Sequence, residues 1–309
     1  MPLIPSRLKI GDTIGVVTPS GPISSSPSDD PYLELERGLA YLRDLGFKTL
    51  LGEHALQEGG LAAGSPQERA GDLNAMFANP EVSAIISTHG GVAANSCLPL
   101  LDYELIQAQP KILLGFSDIS TLHLGIYSQT DLVTFHGNMV MYYFGMEPQE
   151  YDRQEFLSRL ILGEIGPVNK NSPWRTLRGE GSVEGRLLGG NDWVMQWLLG
   201  TPYWPDFSGA ILFIEVPGYS PDMLVNRLNQ FKQAGLFEQI RGVLIGYAKK
   251  VEDYPVEDIF LEVTAEDNFP ILKTDDFGHH CPNTVLPVGV NARLDADTST
   301  LELLEPCVE

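Results

Sequence analysis

Two successive α/β units, the first built on an open and mainly parallel sheet, are what this sequence predicts. Three observations carry the prediction. From residue 13 onward, short apolar runs alternate with helical patterns, as they do in βαβ units. The stretch 163–184 is rich in glycine, carries two prolines and has no apolar period, so it reads as a linker. The 309 residues are also enough for two domains at roughly 100 to 200 residues each. The expected division is an N-terminal unit over 1–162, the linker at 163–184 and a C-terminal unit over 185–309.

In the first unit the apolar runs 13–17, 82–88, 111–116 and 132–135 read as strands. Between the first two lies Ser65-Pro66-Gln67-Glu68, a capping box. Its serine hydroxyl and glutamate carboxylate can satisfy N–H groups that a helix start leaves free, and proline at the first helical position has no N–H to leave unpaired. That helix should stop near Ala78, ahead of Pro80, and 102–109 and 118–127 read as two more. In the second unit Gly189-Gly190-Asn191 reads as a turn into an apolar helix, followed by a strand at 210–215. Ser220-Pro221-Asp222 opens a helix that stops at Gly235, and strands at 242–246 and 270–273 bracket another helix that starts near Pro255. The tail from Thr284 to Leu304 reads as β-rich, with a hairpin around 295–299.

Composition narrows the function. Twenty Lys and Arg against 41 Asp and Glu give a net charge of −21, a field that repels phosphate backbones and anionic lipid surfaces, so nucleic acid is not an expected partner. No uncharged apolar run approaches the roughly 20 residues that span a bilayer, and no membrane association is expected. The segment MPLIPSRLKIGDT lacks the apolar core of a secretion signal, because Pro2 and Pro5 interrupt it and Lys9 and Asp12 close it. Cys97, Cys281 and Cys307 are odd in number and scattered, which fits a reducing compartment. The expected location is the cytoplasm.

Three places carry side chains suited to chemistry. In KILLGFSDISTLHLGIY, Ser117 follows a buried-looking strand and precedes a helix, a turn that projects a hydroxyl outward and points the next amide, that of Asp118, at a ligand. The fifth position of the usual G-x-S-x-G pattern is Ile119, however, and on spacing alone Ser117 reads first as an N-cap for the helix. His89-Gly90-Gly91 follows the strand ending at Thr88; it reads either as a tight turn or as a loop presenting N–H groups to a developing oxyanion. In the second unit Glu215 ends one strand, and His279, in DDFGHHCPN, follows another. A serine hydroxyl becomes a good nucleophile when an imidazole takes its proton, and a carboxylate fixes the tautomer of that imidazole. Ser117, His279 and Glu215 supply those parts. The alternatives for His279-His280-Cys281 are a plain loop, a metal site with Asp275 or Asp276, or a nucleophilic Cys281. The lack of a second ligand pair at a recognised spacing argues against a metal.

Several separated stretches together resemble the LD-carboxypeptidase (muramoyltetrapeptide carboxypeptidase) family of serine peptidases, and within it the branch of the microcin C self-immunity proteins. They are VTPSGP at 17–22, GGVAANSCLPLLDY at 90–103, PKILLGFSDISTLHLGIYSQT at 110–130, TFHGNMV at 134–140, EGRLLGGN at 184–191, GTPYWPDFSGAILFIE at 200–215, GVLIGY at 242–247 and FGHHCPNTVLPVGV at 277–290. The resemblance implies a Rossmann-like N-terminal domain and a smaller β-rich α/β domain, usually dimeric, with no metal or organic cofactor. It implies Ser117 as nucleophile, His279 as general base, Glu215 as its carboxylate, and the backbone amides of Gly91 and Asp118 as the oxyanion hole. Its substrates would be a murein tetrapeptide losing its terminal D-alanine or, in the immunity branch, an aminoacyl nucleotide. A two-domain binding protein without catalysis is the reading from another class. The chain departs from the family at His89, where many carboxypeptidase members have Arg, at Asn138 in place of Pro, at Val216 in place of Asp, and at His280-Cys281 in place of the immunity branch's Thr-His. None of these departures touches the three implied catalytic residues; they bear on the substrate.

Overall fold

The computed structural model describes residues 2–218, 220–248 and 255–309. The first unit runs β1 (Thr13–Val17), α1 (Pro31–Asp44), β2 (Lys48–Leu51), α2 (Pro66–Ala78), β3 (Val82–Ser87), α3 (Tyr103–Ala108), β4 (Ile112–Gly115), α4 (Ser120–Thr130), β5 (Thr134–His136) and α5 (Glu150–Leu157). The predicted capping box at the start of α2 is present, with Ser65 and Glu68 bonding each other's backbone N–H groups. α1 starts in a related way: Asp30 accepts from the Leu33 amide, and Pro31 stands at the first position. Both α1 and β2 go beyond what the sequence pattern predicts. β2 is an edge strand whose residues alternate between exposed and half-buried, so it carries no continuous apolar run to read.

The remaining elements are β6 (Gly166–Pro167), β7 (Arg175–Arg178), β8 (Ser182–Asn191), α6 (Asp192–Met195), β9 (Ile211–Val216), α7 (Pro221–Gln233), α8 (Leu236–Gln239), β10 (Gly242–Ala248), α9 (Val256–Val263), β11 (Ile271–Lys273), β12 (Leu286–Val288), β13 (Asn291–Asp295) and β14 (Thr300–Leu303). Two sheets result, with strand orders β12-β5-β4-β3-β1-β2 and β6-β14-β13-β8-β9-β10-β11-β7. Strands β2, β1, β3, β4 and β5 are parallel, and so are β8, β9, β10 and β11. The parallel strands β1, β3, β4, β9 and β10 are buried almost throughout, as strands covered on both faces must be.

Three details differ from the sequence-based reading. The 163–184 stretch contributes β6, β7 and the start of β8 to the second sheet. Gly189-Gly190-Asn191 is the end of β8 rather than a turn, and the helix after it is the short α6. A β-carbon on Gly189 would fall 1.7 Å from the Phe213 carbonyl oxygen, so this strand position requires glycine, the residue that hides it from a propensity reading. Finally β12, from the tail, pairs antiparallel with β5 in the first sheet. The two units are thereby stitched together, and the carboxyl ends of β4, β9 and β11 are brought to a common cleft, where parallel α/β sheets bind ligands.

Candidate active site

Ser117 opens a short 3-10 turn between β4 and α4. Its φ of 61° lies in the left-handed region, which a residue with a β-carbon occupies only when its surroundings hold it there. The N-cap of this turn is Phe116, and no side chain caps it. The Ser117 hydroxyl points instead to the second unit, where its Oγ lies 3.1 Å from Nε2 of His279.

The His279 imidazole bridges two groups. Its Nδ1 is 2.8 Å from Oε2 of Glu215, which is fully buried at the end of β9. A carboxylate can only accept, so Nδ1 donates to Glu215, and in the neutral form of the ring Nε2 is left as an acceptor facing the Ser117 hydroxyl. The other carboxylate oxygen, Oε1, accepts from the side-chain amide of Asn191 at 2.7 Å. Phe116 meets the imidazole edge-on at 5.0 Å between ring centroids, and Tyr142 does the same at 6.3 Å. The adjacent His280 stacks on Tyr247 at 4.8 Å, so only the first histidine of the pair faces the serine.

The loop after β3 packs against the same turn. A β-carbon on Gly90 would lie 3.0 Å from Cβ of Ser117 and 3.4 Å from the Asp118 amide nitrogen, so the 90–91 backbone borders the space above the hydroxyl. The buried Asp118 carboxylate ties this loop down, accepting from the Ala93 and Ala94 amides at 2.8 Å each and from the Ser20 hydroxyl. Burial raises the Asp118 pKa above the usual carboxylate range, and these donors and Arg69 oppose that rise. His89 sits in the cavity wall with Nδ1 2.7 Å from the Gly90 carbonyl oxygen and Nε2 3.0 Å from that of Pro22; burial lowers its pKa. It does not contact Ser117 by hydrogen bond and ties the 22 and 90 loops together.

Two cavities meet at Ser117. One, of about 170 Å³, is bounded by Ser25, His89, Met139 and Tyr142. The other, of about 160 Å³, is bounded by Val92, Asn191, Trp193, Trp197 and Pro217.

The other sequence candidates lie elsewhere. Cys281 packs with its sulfur 3.8 Å from Asp152, and burial pushes its thiol up to about 11, so it is a neutral thiol rather than a nucleophile. Asp276 accepts from the Asn171 and Ser172 amides and the Trp174 indole, and Asp275 pairs with Lys273. Among the described residues no group of three or more His, Cys, Asp or Glu side chains is arranged to hold a metal ion.

Family models of the LD-carboxypeptidase N-terminal domain and C-terminal domain match residues 14–137 and 184–294. The chain belongs to the LD-carboxypeptidase family. It is 30% identical to the microcin C7 self-immunity protein MccF of Escherichia coli, over 98% of this chain and 96% of that protein. It is 29% identical to the murein tetrapeptide carboxypeptidase of Pseudomonas aeruginosa, over 85% of this chain and 89% of that one. In three dimensions it is similar to MccF in complex with aspartyl sulfamoyl adenosine, with a TM-score of 0.91, 29% identity and full coverage of both chains. The two-domain α/β architecture of this LD-carboxypeptidase family member is therefore that of a serine peptidase family whose relatives include carboxypeptidases and MccF.

Sequence reasoning did not single out Asn191, Tyr142 or Tyr143. Asn191 carries a signal, since it follows two glycines and precedes an acidic helix start, but two adjacent glycines imitate a turn. Tyr142 and Tyr143 lie in an irregular segment after β5 that has no period to read.

Proposed function

We propose that this chain is a serine hydrolase that cleaves an amide bond and, on the leading reading, releases terminal D-alanine from a murein tetrapeptide. The observation that carries it is the hydrogen-bonded series from the Ser117 hydroxyl through His279 to the Glu215 carboxylate. The Ser117 Oγ attacks the carbonyl carbon as His279 Nε2 takes its proton, and Glu215 stabilises the resulting imidazolium. The Gly91 and Asp118 amides receive the oxyanion. On collapse the C–N bond breaks, and the imidazolium proton passes to the departing amine. Water, deprotonated by His279, then attacks the ester and frees Ser117.

A second reading is hydrolysis of an aminoacyl nucleotide, supported by the likeness to MccF bound to aspartyl sulfamoyl adenosine. Both readings use the same nucleophile and differ in what fills the cavities beside it. Side-by-side turnover of a murein tetrapeptide and an aminoacyl sulfamoyl adenosine separates them: D-alanine release from the first supports the leading reading, and cleavage of only the second replaces it. Turnover of neither, with no acylation of Ser117, returns the chain to the binding-protein class.

The same reading takes the enzyme as a cytoplasmic homodimer that uses no metal or organic cofactor. The three free thiols support a reducing compartment, and no described helix is long and apolar enough to cross a membrane. Light scattering in solution tests the dimer.

A further inference from the structure

Ser117 and His279 hang from different sheets, so their 3.1 Å contact depends on how one unit is held against the other. One side chain touches the immediate chain neighbour of each. The Tyr143 ring stacks on Phe116, the residue before Ser117, at 5.6 Å between centroids and 14° between planes. Its hydroxyl donates to the carbonyl of Gly278, the residue before His279, at 3.0 Å. Burial pushes the phenol pKa far up, so it stays a donor.

Tyr143 is mounted rigidly. Its φ of 84° is a left-handed backbone that a bulky residue adopts only under constraint. The constraint is visible. The Val140 and Met141 amides donate to the Ser87 and Thr88 carbonyls at the end of β3, at 3.0 and 2.9 Å, and Met139 donates to the Tyr142 carbonyl at 3.1 Å. The turn is thus tied to the first sheet, and the hydroxyl at its tip reaches a loop of the second.

We propose that Tyr143 is a positioning residue that sets the distance between Ser117 and His279 by clasping Phe116 and Gly278. The proposal rests on the serine-hydrolase reading above. Satisfying a buried carbonyl does not account for the hydroxyl, because the Gly278 carbonyl also accepts from the His280 amide at 2.8 Å. Filling space does not account for it either, since phenylalanine would fill the same space. What the hydroxyl adds is a link between the units beside the imidazole, where misplacement by about 1 Å can cost on the order of 100-fold in rate.

The test is Tyr143→Phe, read by a fluorophosphonate probe that forms an Oγ–P bond with an activated serine and expels fluoride, while the serine proton passes to the base. Labelling requires no knowledge of the natural substrate. The expected result is labelling slowed by at least about tenfold in protein that elutes and melts as wild type does, with kcat lowered and KM unchanged on any substrate identified. Wild-type labelling by the folded variant overturns the proposal and leaves the hydrolase reading intact. A wild-type protein that is not labelled at Ser117, or a Ser117→Ala variant labelled as fast, overturns both. If Tyr143→Phe does not fold, Phe116→Leu, which removes the stacking platform, is measured in the same way; labelling at the wild-type rate by that variant overturns the proposal.

Discussion

Asn191 holds Glu215: its side-chain amide donates to Oε1 at 2.7 Å while Oε2 faces His279. The same asparagine caps α6, its side-chain oxygen accepting from the Trp193 and Val194 amides, and its own amide donates to the Ser120 hydroxyl at the start of α4. A fully buried carboxylate needs such donors, because an unpaired charge in that position is strongly destabilising.

We therefore predict that Asn191→Ala lowers both stability and turnover. The lost cap and carboxylate partner should cost about 1 to 3 kcal/mol in urea unfolding. Glu215→Gln should instead lower kcat by on the order of 100- to 10,000-fold while leaving measurable activity, since the imidazole and the oxyanion donors remain. Asn191→Ala with unchanged stability and rate would mean that the carboxylate is held by other groups.

Gly278 should not tolerate a side chain. Its φ is 110°, and a β-carbon would lie 2.7 Å from Cβ of Glu215 and 3.1 Å from its Oε2. Gly278→Ala should displace His279 from the carboxylate and lower the melting temperature, with a backbone strain of roughly 1 to 3 kcal/mol. Calorimetry and kcat on the same preparation check this, and a variant matching wild type in both contradicts the packing described.

The legible and illegible parts of the molecule divide on a physical line. Ser117 and Glu215 stand at the ends of buried parallel strands and His279 in the loop after one, which the apolar runs before them reveal. Asn191 ends a strand too, but Gly189 and Gly190 are present for close backbone approach and erase the apolar pattern. β12 could not be assigned to the first sheet because its partner β5 is about 150 residues away, and pairing over that distance leaves no local trace. β6 and β7 are short strands in a glycine-rich stretch, so composition suggested a linker where the second sheet has two of its edges.

Stability should fall on the alkaline side through the buried thiols. Burial pushes the Cys97 and Cys307 thiols from their ordinary 9.0 up to about 11. Between those pH values the unfolded chain gives up protons that the folded chain keeps, so stability present below pH 9.0 is lost as pH rises toward about 11. Each fully expressed shift is worth about 3 kcal/mol. Lys111 works the other way: burial lowers it to about 8, so the folded chain sheds a proton first and gains stability from there up to 10.5. Urea unfolding across this range should show a shallower alkaline decline in Cys97→Ala than in wild type. Parallel curves would show that the thiol does not titrate in this way.

Activity should survive exhaustive chelation. The proposed mechanism draws its nucleophile, base and oxyanion donors from Ser117, His279 and backbone amides, and the acids beside His279 are engaged by Asn171, Ser172, Trp174 and Lys273. Dialysis against a chelator followed by a turnover assay decides it. Loss of activity that a divalent ion restores would replace this mechanism with a metal-assisted one.

The central claim is that Ser117 is the nucleophile, and the most direct measurement is turnover by Ser117→Ala in a folded preparation, with mass spectrometry of the wild-type enzyme trapped during reaction. The account predicts that the variant melts close to wild type and loses all but the residual catalysis of the oxyanion donors, and that the trapped wild-type protein carries the acyl group on Ser117. Near wild-type turnover by Ser117→Ala, or an acyl group on any other residue, would contradict it.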